Sequence, residues 1–209
     1  MRHLRTEHGY SIVDVLVGLV LLALVIVSIY QLYLPTFRLS QDVHEGLEAQ
    51  QGVRLAVDRV ARALHETSAA FGRVRLYAAA AGCSGAYEGC IGFVTARDAQ
   101  CAGAFRLVGG EPDWQATIYV WRDTSSNELR LRCDTSSTFP QTAWPPTLEP
   151  YTVIGTRVVA ASFTLQPADS PAPTAVAVAL QEQASPPSRS ASSYRTSAFN
   201  RTVFLPQNR

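Results

Sequence analysis

The stretch that decides the fold reads Gly9-Tyr-Ser-Ile-Val-Asp14, followed over 15–34 by Val-Leu-Val-Gly-Leu-Val-Leu-Leu-Ala-Leu-Val-Ile-Val-Ser-Ile-Tyr-Gln-Leu-Tyr-Leu. Those twenty residues carry no charge, and only small or weakly polar residues interrupt the apolar run. At about 1.5 Å per residue they form a helix of ~30 Å, the thickness of a bilayer's hydrocarbon core. A helix on the surface of a soluble domain would show a polar stripe, and this one has none. The stretch therefore predicts a helix that spans a membrane.

The residues at the start of this run distinguish it from an ordinary signal peptide. Asp14 lies at the head of the apolar stretch, where a carboxylate is costly unless it pairs with a cation, so it is a functional candidate. A secretory signal is cleaved beyond its apolar region at a site of small residues, and the segment 35–38, Pro-Thr-Phe-Arg, does not fit that rule. Cleavage between Gly9 and Tyr10 would instead remove the polar head and retain the helix. It would also create an α-amino group one helical turn from Asp14.

This combination of glycine, aromatic residue, acid and retained apolar helix resembles the N-terminus of type IV pilins and of the related pseudopilins of type II secretion. In that family a prepilin peptidase cuts after the glycine on the cytoplasmic side, and the new first residue is N-methylated. The resemblance implies that Gly9 ends the leader, that Tyr10 is the methylated residue, and that Asp14 is the acid that sets register. The family usually has Glu where this chain has Asp14, whose reach is one methylene shorter.

A second interpretation of the same stretch stays open. A single-pass anchor with an incidental aspartate would show the same apolar run. Basic residues ahead of the span favour a cytoplasmic N-terminus in both cases. Both interpretations therefore predict one span, with the remainder of the chain exported from the bacterial inner membrane.

Charge and composition exclude several classes of partner and function. Without its first nine residues, the chain has sixteen basic and sixteen acidic side chains, so nothing suggests a surface that binds nucleic acid. The phosphate-loop, zinc-protease, nucleophile-elbow and dinucleotide-binding signatures are absent from the sequence, and we expect neither an enzyme nor a cofactor. We interpret the three tryptophans as core or sheet-face residues.

Four acidic residues lie near predicted turns, but their spacing is not that of a calcium-binding loop, although a site formed in three dimensions stays open. They are Asp98, Asp113, Asp123 and Asp134.

The four cysteines all follow the span, on the predicted exported side, where disulfides persist. They are Cys83, Cys90, Cys101 and Cys133. Their spacings lack the close Cys-x-x-Cys pairs of zinc and redox sites, so we expect no metal there. Three pairings are possible, and we favour a local Cys83–Cys90 loop with Cys101–Cys133 as a longer link.

After the span, helical periodicity resumes. Pro35 is expected to bend or interrupt the helix. Beyond it, an apolar residue recurs every three or four positions and forms one stripe; its members are Leu39, Val43, Leu47, Val53, Val57, Val60 and Leu64. We predict one long helix from Ser11 to about Glu66. Its first part, 10–34, would span the membrane or form a filament core, and its amphipathic continuation, 35–66, would pack on a globular domain.

The remainder, 67–209, has the composition of a β-rich domain. Strands are predicted at 73–77, 91–95, 115–121, 128–133, 157–165, 175–180 and 197–205. The region 69–100 is expected to be mostly loop, 138–150 to be irregular, and 184–193 to be a flexible loop. A long N-terminal helix followed by an antiparallel sheet is an α+β fold, and the resemblance implies that it is pilin-like.

The end of the chain extends the resemblance. The segment 199–209, Phe-Asn-Arg-Thr-Val-Phe-Leu-Pro-Gln-Asn-Arg, is similar to the end of PilW-type minor pilins and J-type pseudopilins, which often close on a strand and Arg-Asn. Here Pro206-Gln207 intervenes before Asn208-Arg209. The resemblance implies a minor, tip or priming subunit of a type IV pilus, supporting biogenesis and also adhesion, twitching or DNA uptake. The alternatives are a J-type pseudopilin of type II secretion and a membrane-anchored exported binding domain outside any filament.

The partners that the resemblance implies all belong to filament assembly. They are other pilins that bind through the apolar helix, the prepilin peptidase that cuts the leader 1–9, the inner-membrane assembly platform and the membrane itself. The chain would reside in the inner membrane and later in a pilus or pseudopilus.

Overall fold

The computed structural model describes residues 12–97, 101–145, 148–168, 172–183 and 196–206. The chain divides into two units, Met1–His44 and Glu45–Arg209. The predicted cleavage site at Gly9 and Tyr10 lies outside the described residues, as does the predicted loop 184–193.

One helix, α1, runs from Ile12 to His65 within the described residues, so its end lies within one residue of the predicted Glu66; the predicted start at Ser11 lies outside the described residues. Pro35 lies inside the helix, so of the bend or interruption expected there, the interruption does not occur. Proline removes one backbone hydrogen bond, to the carbonyl one turn earlier. The bonds of the turns on either side are retained in a helix of 54 residues, and one lost bond does not end it.

Ten β-strands follow within the described residues. They are β1 Val74–Tyr77, β2 Tyr87–Thr95, β3 Leu107–Val108, β4 Glu111–Pro112, β5 Ala116–Asp123, β6 Glu128–Asp134, β7 Thr152–Gly155, β8 Val158–Gln166, β9 Ala175–Gln183 and β10 Thr196–Phe204. Five form an antiparallel sheet in the order β1-β2-β5-β6-β7, and three form a second sheet in the order β10-β9-β8. The strands β3 and β4 make a separate small hairpin. The helix and these antiparallel sheets confirm the α+β class.

All seven predicted strands are present. In the region 69–100, β2 begins at Tyr87, four residues before the predicted start at 91. The added part of the strand contains Gly89, which weakens the composition signal of a strand. Gly92 is needed because an added Cβ would lie 3.1 Å from the rings of both Tyr77 and Tyr119. The strands β3, β4 and β7 have two to four residues each and were not predicted.

The main core lies where the C-terminal part of α1 meets the inner faces of both sheets. The helix contributes six side chains with at most 1% exposure: Val53, Ala56, Val57, Val60, Ala61 and Leu64. They join a cluster with residues of both sheets, among them Phe93, Val120 and Val178. Fully burying an aliphatic side chain of this size contributes about 1.5–3 kcal/mol, so this face of the helix is a principal source of the domain's stability.

The apolar stripe is buried only from Val53 onward. Val43 and Leu47 belong to the same predicted stripe, yet they are 49% and 50% exposed. The side chain of Leu39 lies outside the described part of the molecule. Leu47 lies in the second unit, so the prediction that the whole stripe is buried on the globular domain does not hold for this residue.

A glycine and a buried acid join α1 to β9. An added Cβ at Gly52 would lie 2.6 Å from the Oε2 atom of Glu182, whose side chain is only 4% exposed. The backbone N–H of Val53 donates a hydrogen bond to this carboxylate, and Arg157 Nε lies 3.9 Å from its Oε1 atom. Burial raises the pKa of Glu182 despite both interactions. Glycine at position 52 thus makes room for a buried carboxyl group against the helix.

The two disulfides have the pairing favoured from the sequence. Cys83 is bonded to Cys90 and Cys101 to Cys133, with Cα–Cα distances of 6.0 and 5.8 Å. The first closes a short loop before β2, and the second links the end of β6 to the segment that precedes β3.

Candidate functional site

The first candidate surface is the apolar segment of α1, Ile12–Arg38. It has 27 residues, and within the described residues it is the helix long and apolar enough to cross a membrane. At about 1.5 Å per residue it measures ~40 Å, which exceeds the ~30 Å of a hydrocarbon core. Length and composition therefore permit a span.

The surface of this segment is apolar on all sides and is not covered by the described part of the chain. Its large apolar side chains are between 36% exposed, at Leu34, and 81% exposed, at Ile12. An apolar surface of this extent is not stable in water and needs lipid or other apolar helices around it.

The serine and threonine hydroxyls in the segment are satisfied internally. Ser28 donates a hydrogen bond to the carbonyl of Leu24 at 2.8 Å, and Thr36 donates to the carbonyl of Leu32 at 2.9 Å. Such bonds to the preceding turn let a hydroxyl lie in an apolar environment without an external partner. Neither hydroxyl therefore opposes burial in lipid or between helices.

Asp14 lies in the first turn of α1 as the structure describes it. A carboxylate transferred to apolar surroundings needs a cation at short range. The chemistry of Asp14 thus fits a charge-pairing role at one end of an apolar rod, while Gly9 and Tyr10 lie outside the described residues.

The second candidate surface is the face of the five-stranded sheet that points away from α1. Side chains alternate along β5, so Ile118 and Val120 enter the helix-facing core, and Tyr119 and Trp121 enter a second cluster. Trp144, from the irregular segment after β6, packs edge-on against Tyr119 and Trp121 with centroid distances of 5.6 and 5.9 Å. Trp121 and Trp144 are thus core residues, as predicted.

Two buried tyrosines fix the irregular segment onto this face. The hydroxyl of Tyr77 donates to the carbonyl of Gln141 at 2.8 Å, and the N–H of Gln141 donates to the hydroxyl of Tyr119 at 3.1 Å. Burial raises the pKa of both tyrosines. They stay neutral at physiological pH, so these hydroxyls position the segment and do not supply charge.

A charged cluster lies beside the aromatic one, at the turn between β5 and β6. Arg130 donates to Asp123 Oδ2, to Glu128 Oε2 from both Nε and Nη2, and to Ser126 Oγ. Burial alone would lower the pKa of Arg130, but the bond to Glu128 and the charge of Asp123 outweigh it and raise the pKa. The same contacts lower the pKa of Glu128. The guanidinium is therefore a permanent and rigidly held cation.

An open cleft of about 320 Å³ lies where the aromatic and charged clusters meet. Its lining residues are Tyr87, Trp121, Arg130, Leu148, Glu149 and Tyr151. The cleft could not be predicted from the sequence, because three of these residues lie in the irregular segment 138–150 or directly after it. Without a helical or strand period, the sequence does not indicate on which side of the chain their side chains lie. The one available signal was the alternation of Glu128 and Arg130 along β6.

The acidic residues considered for calcium lie apart. Asp123 binds Arg130, Asp134 accepts from the hydroxyl and the N–H of Ser136, and Asp113 lies 3.7 Å from Arg106. Asp98 lies outside the described residues. Across the described part of the chain, no group of three or more His, Cys, Asp or Glu side chains could hold a metal ion.

Comparisons with known proteins give no relative from which a function could be transferred. No protein-family model, no curated protein and no solved structure matches the chain.

Proposed function

We propose that this chain is a minor subunit of a type IV pilus, located at the tip or in the priming complex. It would assemble through its apolar N-terminal helix after a prepilin peptidase cuts between Gly9 and Tyr10. The observation that carries the proposal is the segment Ile12–Arg38, apolar on all sides, with Asp14 in its first turn. In the sequence, the glycine–aromatic pair precedes Asp14 at the spacing that the pilin resemblance requires.

Assembly through this surface depends on the free energy of burying it in lipid compared with burying it among other helices. Lipid tails and neighbouring apolar helices are similarly apolar, so moving the segment from one to the other changes little hydrophobic free energy. Side-chain packing and charge pairing then decide whether helices associate. Asp14 would pair with the α-amino group of Tyr10 on an adjacent subunit, which offsets the cost of burying a carboxylate in an apolar core and sets the axial register.

The size of the exported part supports a minor subunit. The second unit, Glu45–Arg209, contains both sheets. A domain of this size is more easily accommodated at an apex, where one side is open, than in the crowded and repeating shaft of a filament. The same geometry fits priming of assembly together with other minor pilins.

The first experiment determines the mature N-terminus by mass spectrometry of the chain isolated from membranes. The proposal requires a chain that begins at N-methylated Tyr10. An N-terminus at Met1 in fully processed cells, or one beyond Leu34, would show that the apolar helix does not enter a filament by this route.

The second experiment replaces Asp14. Asp14→Ala should insert into the membrane at the wild-type level yet be at least roughly tenfold depleted from sheared filaments, because a charge pair buried at low dielectric is lost. Asp14→Glu is the matched control, since it keeps the charge, and should be incorporated. Wild-type incorporation of Asp14→Ala would contradict the role of the carboxylate.

Fractionation separates the three candidate functions. Recovery in sheared pili supports the pilus subunit, and recovery in a type II secretion pseudopilus supports the J-type alternative. Recovery in membranes alone supports an anchored exported binding domain.

A further inference from the structure

The cleft beside Arg130 has the size and the composition of a small-ligand site. Its volume of about 320 Å³ falls at the lower end of the ~300–1,000 Å³ of such sites. All its lining residues lie in the second unit, outside the apolar segment of α1. Its chemistry is therefore independent of helix assembly.

Aromatic and aliphatic side chains form its walls. Trp121 and Leu148 are 1% and 8% exposed, and Tyr151 stands at the opening with 38% exposure. The rings of Trp121 and Tyr151 meet edge to face at 6.1 Å. Part of the Tyr151 side chain therefore remains exposed, and the non-polar face of a ligand could pack on it.

The polar groups at the cleft include both a donor and an acceptor. Arg130 makes four hydrogen bonds within the described part of the chain, which leaves one of its five N–H groups for another acceptor. Glu149 supplies an exposed carboxylate.

These groups discriminate between ligand classes. An organic cation is disfavoured, because Arg130 holds a permanent positive charge at the cleft and its guanidinium carbon already lies 4.2 Å from the centroid of the Tyr151 ring. A purely apolar ligand would pair neither with Arg130 nor with Glu149. A polyhydroxylated ring fits both the aromatic wall and the polar groups of the cleft. It has a C–H face that can stack on a ring, and its hydroxyl groups donate and accept hydrogen bonds.

We propose that this cleft binds a pyranose unit of a glycan, with its C–H face on the part of the Tyr151 ring that Arg130 leaves exposed and its hydroxyl groups toward Arg130 and Glu149. Arg130 is held in place by Asp123 and Glu128, so the donor side of the site is formed before the ligand arrives. Pre-organisation of this kind lowers the ordering cost of binding.

The test uses the full chain in nanodiscs of phosphatidylethanolamine and phosphatidylglycerol, which avoids sugar-bearing detergents and quaternary ammonium lipids. A glycan array identifies bound sugars, and the methyl glycoside of the terminal residue of each bound glycan is then titrated against tryptophan fluorescence. Tyr151→Ala should weaken binding roughly tenfold or more, and Glu149→Gln should weaken it by a smaller factor. Phe71→Ala is the matched control, because this side chain is 75% exposed and lies outside the cleft.

Three results would overturn the proposal. The first is an array on which the wild-type chain binds no glycan above the level of Tyr151→Ala. The second is saturable binding of tetramethylammonium, lost in Tyr151→Ala, without binding of any sugar. The third is sugar binding that Glu149→Gln and Tyr151→Ala leave unchanged. Near-UV circular dichroism checks that Tyr151→Ala is folded; if it is not, Glu149→Gln, which changes an exposed side chain, decides the question.

Discussion

Gly52→Ala sets two effects on the unfolding free energy against each other. Alanine has the higher helix propensity, but its Cβ would disturb the contact between α1 and Glu182. Alanine in a helix interior is favoured over glycine by about 1 kcal/mol. The new Cβ, however, would lie 2.6 Å from Glu182 Oε2, so the buried carboxylate must move and weaken its bond from the N–H of Val53. A hydrogen bond to a charged group contributes ~1.5–3 kcal/mol. We therefore expect a net loss of ~0.5–2 kcal/mol in unfolding free energy.

The sign of the effect should reverse when the carboxylate is removed. In a Glu182→Ala background the obstacle is absent, and Gly52→Ala should stabilise by about 1 kcal/mol. Denaturant unfolding followed by the fluorescence of buried Trp121 and Trp144 measures both differences. Gly18→Ala is the control, because an added Cβ there meets nothing within 4 Å. Stabilisation by Gly52→Ala in the wild-type background, or the same change in both backgrounds, would refute this account of the contact.

Two further predictions concern pH and disulfides. Because burial raises the folded pKa of Glu182 above 4.5, the folded state retains a proton that the unfolded state has lost; the unfolding free energy should fall as pH rises from 4.5 through the folded pKa. Glu182→Gln should remove that slope in unfolding measured across pH, whereas exposed Glu111→Gln should not. Replacing Cys101 and Cys133 by serine should lower the unfolding free energy by about 3–4 kcal/mol, and replacing Cys83 and Cys90 by ~2–3 kcal/mol, because the first pair closes 32 residues and the second 7. Equal losses in denaturant titrations would contradict this order.

The elements that could be predicted from the sequence are those with a long and regular pattern of apolar residues. Helix α1 has an apolar run and then a stripe of period three to four, and its observed end at His65 lies within one residue of the prediction. The hairpins β5–β6 and β8–β9 have alternating or β-branched strands on both sides of a polar or proline-rich turn. In these cases the local preference of the chain and its burial in the fold agree.

The parts that were missed depend on contacts distant in sequence. The first four residues of β2, 87–90, lie ahead of the predicted strand and contain Gly89, where an added Cβ would clash with the backbone carbonyl of Ala161 on β8. The cleft needs Tyr151 to lie against Arg130. No periodic pattern expresses that contact, because the segment 138–150 is irregular.

The apolar stripe of α1 shows where a sequence pattern stops being informative. From Val43 to Leu64 the period is the same, yet Leu47 is half exposed and Val53 is 1% exposed. Periodicity identifies the apolar face of a helix, but it carries no information on what covers that face. For Val53 the cover is the chain's own pair of sheets. For the segment Ile12–Arg38 the described chain provides none, and whether lipid or neighbouring apolar helices cover it is what separates an anchored domain from the proposed filament subunit.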